Sequence, residues 1–269
     1  MSTPGQLYDA LFAFESRVRR GKYPIHKRLR FAEPGIDHTY AWITEHHELP
    51  STGTILDAGC GVAYGTLHLA MQSDAAVIGI SVSDAEVRQS KKNVTDTGMD
   101  ARVEIRHRSY DDVEEHAFDM VVAVESLKHS CDLGKSIGSL VRALKPKGRL
   151  VVIEDLYIGP EDHPSAVQVA ADWLLLRNYR EADYIDELHS GPTRVTDLTG
   201  RVRIPGHASL SATMLAINAW LAIAPRNRSA AMRAFRGGLH LQRLYAGGLM
   251  HYKSIEFTKQ APAKVPRSA

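Results

Sequence analysis

The residues best suited to chemistry begin in the segment ILDAGCGVAYG at 55–65, in which a carboxylate and three glycines follow two apolar residues. The carboxylate is Asp57, and the glycines stand at 59, 61 and 65. Glycine takes up positive φ readily and lets a ligand approach the backbone. The spacing therefore predicts a ligand-binding turn at the end of a buried strand.

A histidine and a carboxylate form a second candidate site further along the chain. His129 follows the apolar run FDMVVAV, and Asp155 lies near the end of the next run, RLVVIEDLY. A histidine with a carboxylate partner can act as a general base, because the carboxylate orients the imidazole and stabilises its charged form. The alternatives are a structural histidine and a solvated acid at a strand end.

Apolar strands and amphipathic helices alternate between residues 51 and 157. The predicted strands are TILDAG, AAVIGIS, ARVEIRHRS, FDMVVAVES and RLVVIEDLY, and the predicted helices are YGTLHLAMQ, DAEVRQSKKNVTDTG and LGKSIGSLVRALKPKG. This alternation is typical of βαβ units on a parallel sheet. Ligands collect at the carboxyl ends of such strands, so both candidate sites are expected at one edge of the sheet.

The segments on either side have a different pattern. Residues 1–50 carry two helical patterns, LYDALFAFESRVRR and HTYAWITEHHEL. Residues 158–250 begin with two long helical patterns and are interpreted as a helical cap over the substrate, in which Trp173 is a candidate contact. Alternating residues at 251–260 predict a final strand of the sheet, and 261–269 a disordered tail.

Composition excludes several classes of protein. The 269 residues are 44% hydrophobic and 24% charged, which is typical of a globular protein, and a net charge of +2 does not favour nucleic acid or an anionic membrane. Two distant cysteines argue against both a disulfide framework and a metal site. No signal peptide or membrane-spanning run is evident, so a cytoplasmic location is expected.

The glycine turn does not fit a dinucleotide or a nucleotide triphosphate. Counted from Gly59, the G-x-G-x-x-G pattern would place its last glycine at Tyr64, and the acid expected after the next strand is replaced by Ser81. The Lys-Ser/Thr pair of a Walker motif is also absent from this turn. A nicotinamide, flavin or triphosphate ligand is therefore disfavoured.

The segment from Asp57 to Ala63 resembles motif I, D/E-x-G-x-G-x-G, of the class I S-adenosylmethionine (SAM) methyltransferases, with Ala63 in place of the third glycine. Two further stretches, VIGISVSDAEV and FDMVVAVESLKHSCD, resemble the small-molecule subgroup that includes sterol, tocopherol and sugar methyltransferases and cyclopropane fatty-acid synthases. The resemblance covers about residues 51–157. It implies a Rossmann-like α/β fold with a seven-stranded, mostly parallel sheet, helices on both faces and a helical cap, with residues 1–50 as a lid.

The resemblance also implies SAM as the cofactor and assigns its contacts. Asp57, Gly59, Cys60 and Gly61 belong to the turn, where the aspartate organises the loop and the ammonium end of the ligand. The other implied contacts are Ser81, Val82 and Glu86 at the ribose and the adenine edge, Ser109 and Tyr110 at the adenine, and Glu125 on the methionine side.

Three functions follow from this resemblance. O-methylation of a small, natural-product-type acceptor with His129 as the base is the leading hypothesis, with Asp155 as its partner and Tyr23 and Trp173 as substrate contacts. C- or N-methylation of an isoprenoid, a lipid or an amine is the first alternative. A catalytically silent SAM-binding subunit is the second. No metal, nucleic acid or membrane insertion is implied, and a homodimer is left open.

Overall fold

The computed structural model describes residues 4–19, 38–113, 116–202, 207–223 and 230–261. The helices within these residues are α1 (Pro4–Arg19), α2 (His38–His46), α3 (Tyr64–Gln72), α4 (Asp84–Asp96), α5 (Leu133–Ala143), α6 (Pro164–Trp173), α7 (Glu181–Glu187), α8 (His207–Ile223) and α9 (Ala230–Ala246). The strands are β1 (Thr54–Ala58), β2 (Ala76–Ser81), β3 (Val103–His107), β4 (Phe118–Val124), β5 (Leu144–Tyr157), β6 (Thr193–Asp197) and β7 (Met250–Thr258). The predicted Tyr23 contact lies outside the described residues.

One seven-stranded sheet forms the centre of the molecule, in the order β3-β2-β1-β4-β5-β7-β6. The strands β1 to β5 pair in parallel, and β7 runs antiparallel between β5 and β6. Apolar side chains fill both faces of the central strands, which explains why β4 and β5 are almost continuous apolar runs. The predicted Rossmann-like fold with a mostly parallel sheet is confirmed.

Helices cover both faces of this sheet. One core contains side chains of α2, α3, α4, α6 and α9, and the other contains side chains of α5 and α7. The first helix, α1, contacts α4 and α9, and α8 packs on α9. Within the described residues no helix is long and apolar enough to cross a membrane.

The structure corrects two predicted elements. The fifth helix ends at Ala143 rather than at 148, because Pro146 cannot continue a helix, and Leu144 already pairs with Phe118. The segment 158–250 is not purely helical, since Thr193–Asp197 forms the edge strand β6 beside β7. This five-residue strand, TRVTD, is polar and mostly exposed, so it carries no apolar run that would indicate it.

Candidate active site

A cavity of about 390 Å³ opens at the carboxyl ends of β1, β2 and β4, under helix α1. We call one part the glycine end, which comprises the loops Gly59–Gly61, Ser81–Glu86 and Ser109–Tyr110. We call the other part the histidine end, which comprises Tyr8, Lys128, His129 and Trp173. Most of the residues predicted from the sequence line this cavity, namely Gly59, Cys60, Gly61, Ser81, Val82, Glu86, Ser109, Tyr110, Glu125, His129 and Trp173.

The glycines at 59 and 61 differ in what they do. Gly59 has a φ of 94°, and a Cβ atom there would lie 2.4 Å from the Cβ of Ser126. Gly61 has a φ of 52°, and its Cβ would meet nothing within 4 Å. The first glycine therefore permits close packing of the turn on the loop after β4. The second leaves bare backbone facing a space in which a ligand fits.

Asp57 precedes the glycine turn and is buried beneath it. Its buried carboxylate accepts hydrogen bonds from the hydroxyls of Tyr40, at 2.7 Å, and Thr66, at 2.6 Å. It therefore ties the end of β1 to α2 and α3, but it is not among the described residues that line the cavity. The predicted contact with the ammonium end of a ligand remains a prediction.

A buried carboxylate stands at the end of β2, where the strand itself supplies only a serine. The Ser81 hydroxyl donates to Glu86 Oε2 at 2.7 Å, and Glu86 belongs to the first turn of α4. Glu86 thereby brings an acid to the strand end from five residues further along the chain. Ser81 positions this acid and also accepts a hydrogen bond from the Ser83 amide at 3.1 Å.

The remaining wall of the glycine end is formed by the loop after β3. Ser109 accepts a hydrogen bond from the amide of Asp111 at 3.1 Å, and the Tyr110 hydroxyl donates to the carbonyl of Ser126 at 3.3 Å. Burial raises the pKa of Tyr110, so its phenol stays neutral. Tyr110 therefore offers an uncharged aromatic wall, with Val82 on the loop after β2.

His129 lies at the histidine end of the cavity, between Tyr8 and Trp173. Its Nε2 atom lies 2.7 Å from the hydroxyl of Tyr8 on α1, and its ring stacks on that of Trp173 with centroids 6.3 Å apart. Burial, reinforced by the positive charge of Lys128, lowers the pKa of His129 to about 3. The imidazole is therefore neutral at physiological pH, so one ring nitrogen carries a lone pair that can accept a proton.

Asp155 does not form the predicted pair with His129. Its carboxylate accepts hydrogen bonds from Lys128 Nζ, at 3.0 Å, and from the hydroxyl of Tyr245. Lys128, rather than the neighbouring His129, is therefore a hydrogen-bond partner of Asp155. Tyr8 and Trp173, rather than a carboxylate, therefore hold the imidazole ring.

Lys128 is the centre of a buried ionic cluster that the sequence did not reveal. Its ammonium lies 3.4 Å from Glu125, 3.6 Å from Glu154 and 3.0 Å from Asp155, and 4.7 Å from the ring centroid of Trp173. Burial lowers the pKa of Lys128, but the three carboxylates outweigh it and raise that pKa well above the ordinary value. Burial raises the pKa of Glu154 to about 7.

Glu125 joins this cluster to the cavity. It accepts a hydrogen bond from the hydroxyl of Tyr252 at 3.0 Å, and its backbone has a φ of 49°, an unusual value for a non-glycine residue. The cluster holds three carboxyl groups against one ammonium, and Glu125 is the member of these three that lies among the described residues lining the cavity. The only signal for it in the sequence is the pair of motifs ESLKH and IED, each at the end of a strand.

The glycine end fits a nucleoside better than a phosphate. Bare backbone at Gly61, a buried carboxylate at Glu86 and an aromatic wall at Tyr110 suit an amino-acid chain, a ribose diol and a base, respectively. An acid beside the turn would repel a pyrophosphate. Together with the parallel sheet, these features agree with the resemblance to the class I SAM methyltransferases.

A methyltransferase family model matches part of the chain. Residues 49–175, a little under half of the chain, match the model of a family described as Methyltransferase domain. The resemblance to class I SAM methyltransferases is thereby confirmed.

Among curated relatives, methyltransferase GfsG of Streptomyces halstedii is 28% identical over 170 residues, which are 59% of this chain and 60% of that protein. The 27-O-demethylrifamycin SV methyltransferase of Amycolatopsis mediterranei is 31% identical over 120 residues, which are 44% of this chain and 42% of that protein. The chain thus matches less than two thirds of the length of either relative.

Solved structures show the same fold over nearly the whole chain. The [4+2]-cyclase SpnF superposes with a TM-score of 0.76 at 19% identity and covers 96% of this chain and 95% of its own. A geranyl diphosphate methyltransferase in complex with GPP and sinefungin superposes with a TM-score of 0.72 at 16% identity. The match covers 95% of this chain and 98% of that chain.

Proposed function

We propose that this protein binds SAM in the cavity and transfers its methyl group to a hydroxyl oxygen of a small-molecule acceptor. The observation that carries the proposal is a neutral, buried His129 in the wall of the same cavity that the glycine turn lines. SAM supplies a methyl group already activated by the sulfonium charge, so the protein has to supply position and a proton acceptor.

In this proposal the glycine end holds the donor. Glu86 accepts hydrogen bonds from the ribose hydroxyls, and the backbone at Gly61 lies against the amino-acid chain. Ser109 and Tyr110 border the adenine, while Glu125 faces the methionine side, where its negative charge favours the cationic sulfonium and ammonium groups. The sulfonium methyl would then point toward the histidine end.

His129 takes the acceptor proton in this scheme. The oxygen lone pair forms a bond to the methyl carbon, the carbon–sulfur bond breaks, and the sulfur keeps the electron pair as S-adenosylhomocysteine. The hydroxyl proton passes to His129 Nε2, either after the acceptor displaces Tyr8 or through the Tyr8 hydroxyl. An oxygen that gains a methyl group becomes strongly acidic, so even a weakly basic imidazole removes its proton.

The surplus of carboxylates around Lys128 supports a second candidate, methylation of a carbon or a nitrogen. Such reactions place positive charge on the acceptor, which Glu125 and the ring of Trp173 would stabilise. Anionic acceptors are disfavoured in both cases, because Lys128 already donates to Asp155 and Glu125.

The decisive experiment is turnover with methyl-labelled SAM and a panel of phenol, alcohol, amine and alkene acceptors. Transfer to an alcohol or a phenol that depends on His129 supports O-methylation, whereas transfer to an alkene or an amine that depends on Glu125 supports the second candidate. Calorimetry that detects SAM binding, together with no labelled product from any class, would favour a silent SAM-binding subunit.

A further inference from the structure

Helix α8 carries two separate apolar faces. Its inner face, with Met214, Ile217 and Leu221, packs on α9. At 100° per residue, the opposite side is a continuous apolar arc of about 160°. We call this arc the outer face; it consists of Ala212, Leu215, Ala216, Ala219, Trp220, Ala222 and Ile223, all of them exposed.

The large side chains of this outer face project well beyond the helix surface. Leu215 is 74% exposed, Ile223 84% and Trp220 39%. Among the described residues, the principal packing partner of α8 is α9, which contacts the inner face. A row of large apolar side chains on one helix face indicates that a partner covers it.

The sequence around α8 is basic, which favours a partner with negative charge. Residues 198–255 contain seven arginines and one lysine but no aspartate or glutamate. Two of these arginines reach α8: Arg243 Nη2 lies 3.3 Å from the Ser211 hydroxyl, and Arg236 Nη1 lies 3.3 Å from Asn218 Oδ1. Arg236 also pairs with the Asp172 carboxylate, so Arg243 is the one of the two without a carboxylate partner among the ion pairs described. Two more, at 226 and 228, follow α8 closely in the sequence.

We propose that the outer face of α8 docks on an anionic lipid surface. A helix that lies in the membrane interface buries leucine, isoleucine and tryptophan at the boundary between headgroups and acyl chains. Arginines beside it pair with lipid phosphates while their methylene stems cover apolar surface. This docking is parallel to the membrane and does not require the helix to cross it.

A second copy of the chain fits the outer face less well. Pairing two outer faces would bring two stretches without acidic residues together, and like charges at such an interface are unfavourable. An acidic protein could balance the charge. However, side chains that project from a convex helix need a complementary groove in a protein, whereas a lipid surface adapts to them.

Vesicle flotation of the full chain tests the proposal. We expect binding to vesicles of phosphatidylcholine with phosphatidylglycerol, weaker binding to phosphatidylcholine alone, and release at high salt. The double variant Leu215→Glu/Ile223→Glu should bind at least about tenfold more weakly. The matched control Met71→Glu/Leu176→Glu changes side chains that are 54% and 67% exposed but lie outside α8 and α9, and should bind like the wild type.

A second measurement places the helix in the lipid. Brominated acyl chains should quench part of the tryptophan emission, and the quenched part should disappear in Trp220→Phe. Equal vesicle binding by wild type and the Leu215/Ile223 variant would overturn the proposal. An absence of vesicle binding would also overturn the proposal. This holds even if the outer face is then found to mediate a concentration-dependent dimer or to bind an acidic protein.

Discussion

The glycine end of the cavity is built from three short loops, each of which follows a strand, whereas the histidine end is assembled from two helices and a loop that are far apart in the sequence. At the glycine end, backbone conformation and one buried acid, Glu86, shape the surface. At the histidine end, Tyr8 comes from α1, His129 from the loop after β4 and Trp173 from α6.

The two ends also differ in how their buried acids are paired. The hydroxyl of Ser81 donates a hydrogen bond to Glu86, the one buried acid in the loops of the glycine end. At the histidine end, Lys128 pairs with three carboxyl groups of the ionic cluster beside the cavity. We therefore expect substitutions at the glycine end to change cofactor affinity, and substitutions at the histidine end to change the rate or the stability.

The largest effect is expected for the rate of methyl transfer. His129→Ala should slow O-methylation by about 10²–10⁴-fold, because it removes the proton acceptor. SAM affinity should stay nearly unchanged, because in the proposed complex His129 does not contact SAM. Single-turnover rates with an identified hydroxyl acceptor, beside calorimetry with SAM, measure both quantities. An unimpaired rate would instead indicate a carbon or nitrogen acceptor, or catalysis by proximity alone.

Lys128→Met should destabilise the protein by about 3–5 kcal/mol, since it leaves the buried carboxylates without their cation. Denaturant unfolding measures this loss. The surface substitution Lys92→Met, which removes one partner of an exposed ion pair with Asp96, is the control and should cost less than about 1 kcal/mol.

The same variant should change the dependence of stability on pH. The raised pKa of Glu154, about 7, means that its contribution to stability is fully present below pH about 4.5 and is lost as the pH rises through about 7. Without Lys128 that pKa rises further, so the deficit of Lys128→Met should grow toward alkaline pH. A deficit that is constant from pH 5 to pH 9 would contradict the ionic cluster.

Gly59→Ala tests the backbone of the glycine end. A methyl group there collides with Ser126 and strains a residue with positive φ, so SAM affinity should fall by about 10²-fold. Gly98→Ala is the matched control, because Gly98 also has a positive φ of 68° but its Cβ meets nothing within 4 Å. The control should lose some stability but bind SAM normally in calorimetry.

The smallest effects should separate Ser81 from Glu86. Glu86→Ala should weaken SAM binding by about tenfold or more, because it removes a charged hydrogen-bond acceptor. Ser81→Ala should weaken it by only about threefold, since the serine acts by positioning that acid. Equal losses in the two variants would show that Ser81 contacts the ligand itself.

The glycine end was largely predictable from local sequence. The turn at 57–63, the serine at 81 and the glutamate at 86 all lie at strand or helix ends that hydrophobic patterning predicts. The edge strand β6 was missed for the opposite reason, because a short polar strand on the edge of a sheet has no apolar run to indicate it.

Sequence alone determined the alternation of strands and helices and the place of the glycine turn, because both depend on the periodicity of neighbouring residues. Only the tertiary structure decided that Asp155 pairs with Lys128 and that Tyr8 meets His129. Tyr8 and His129 are 121 positions apart. Which side chain faces which group depends on how α1, β4 and β5 pack together, and no local pattern encodes that packing.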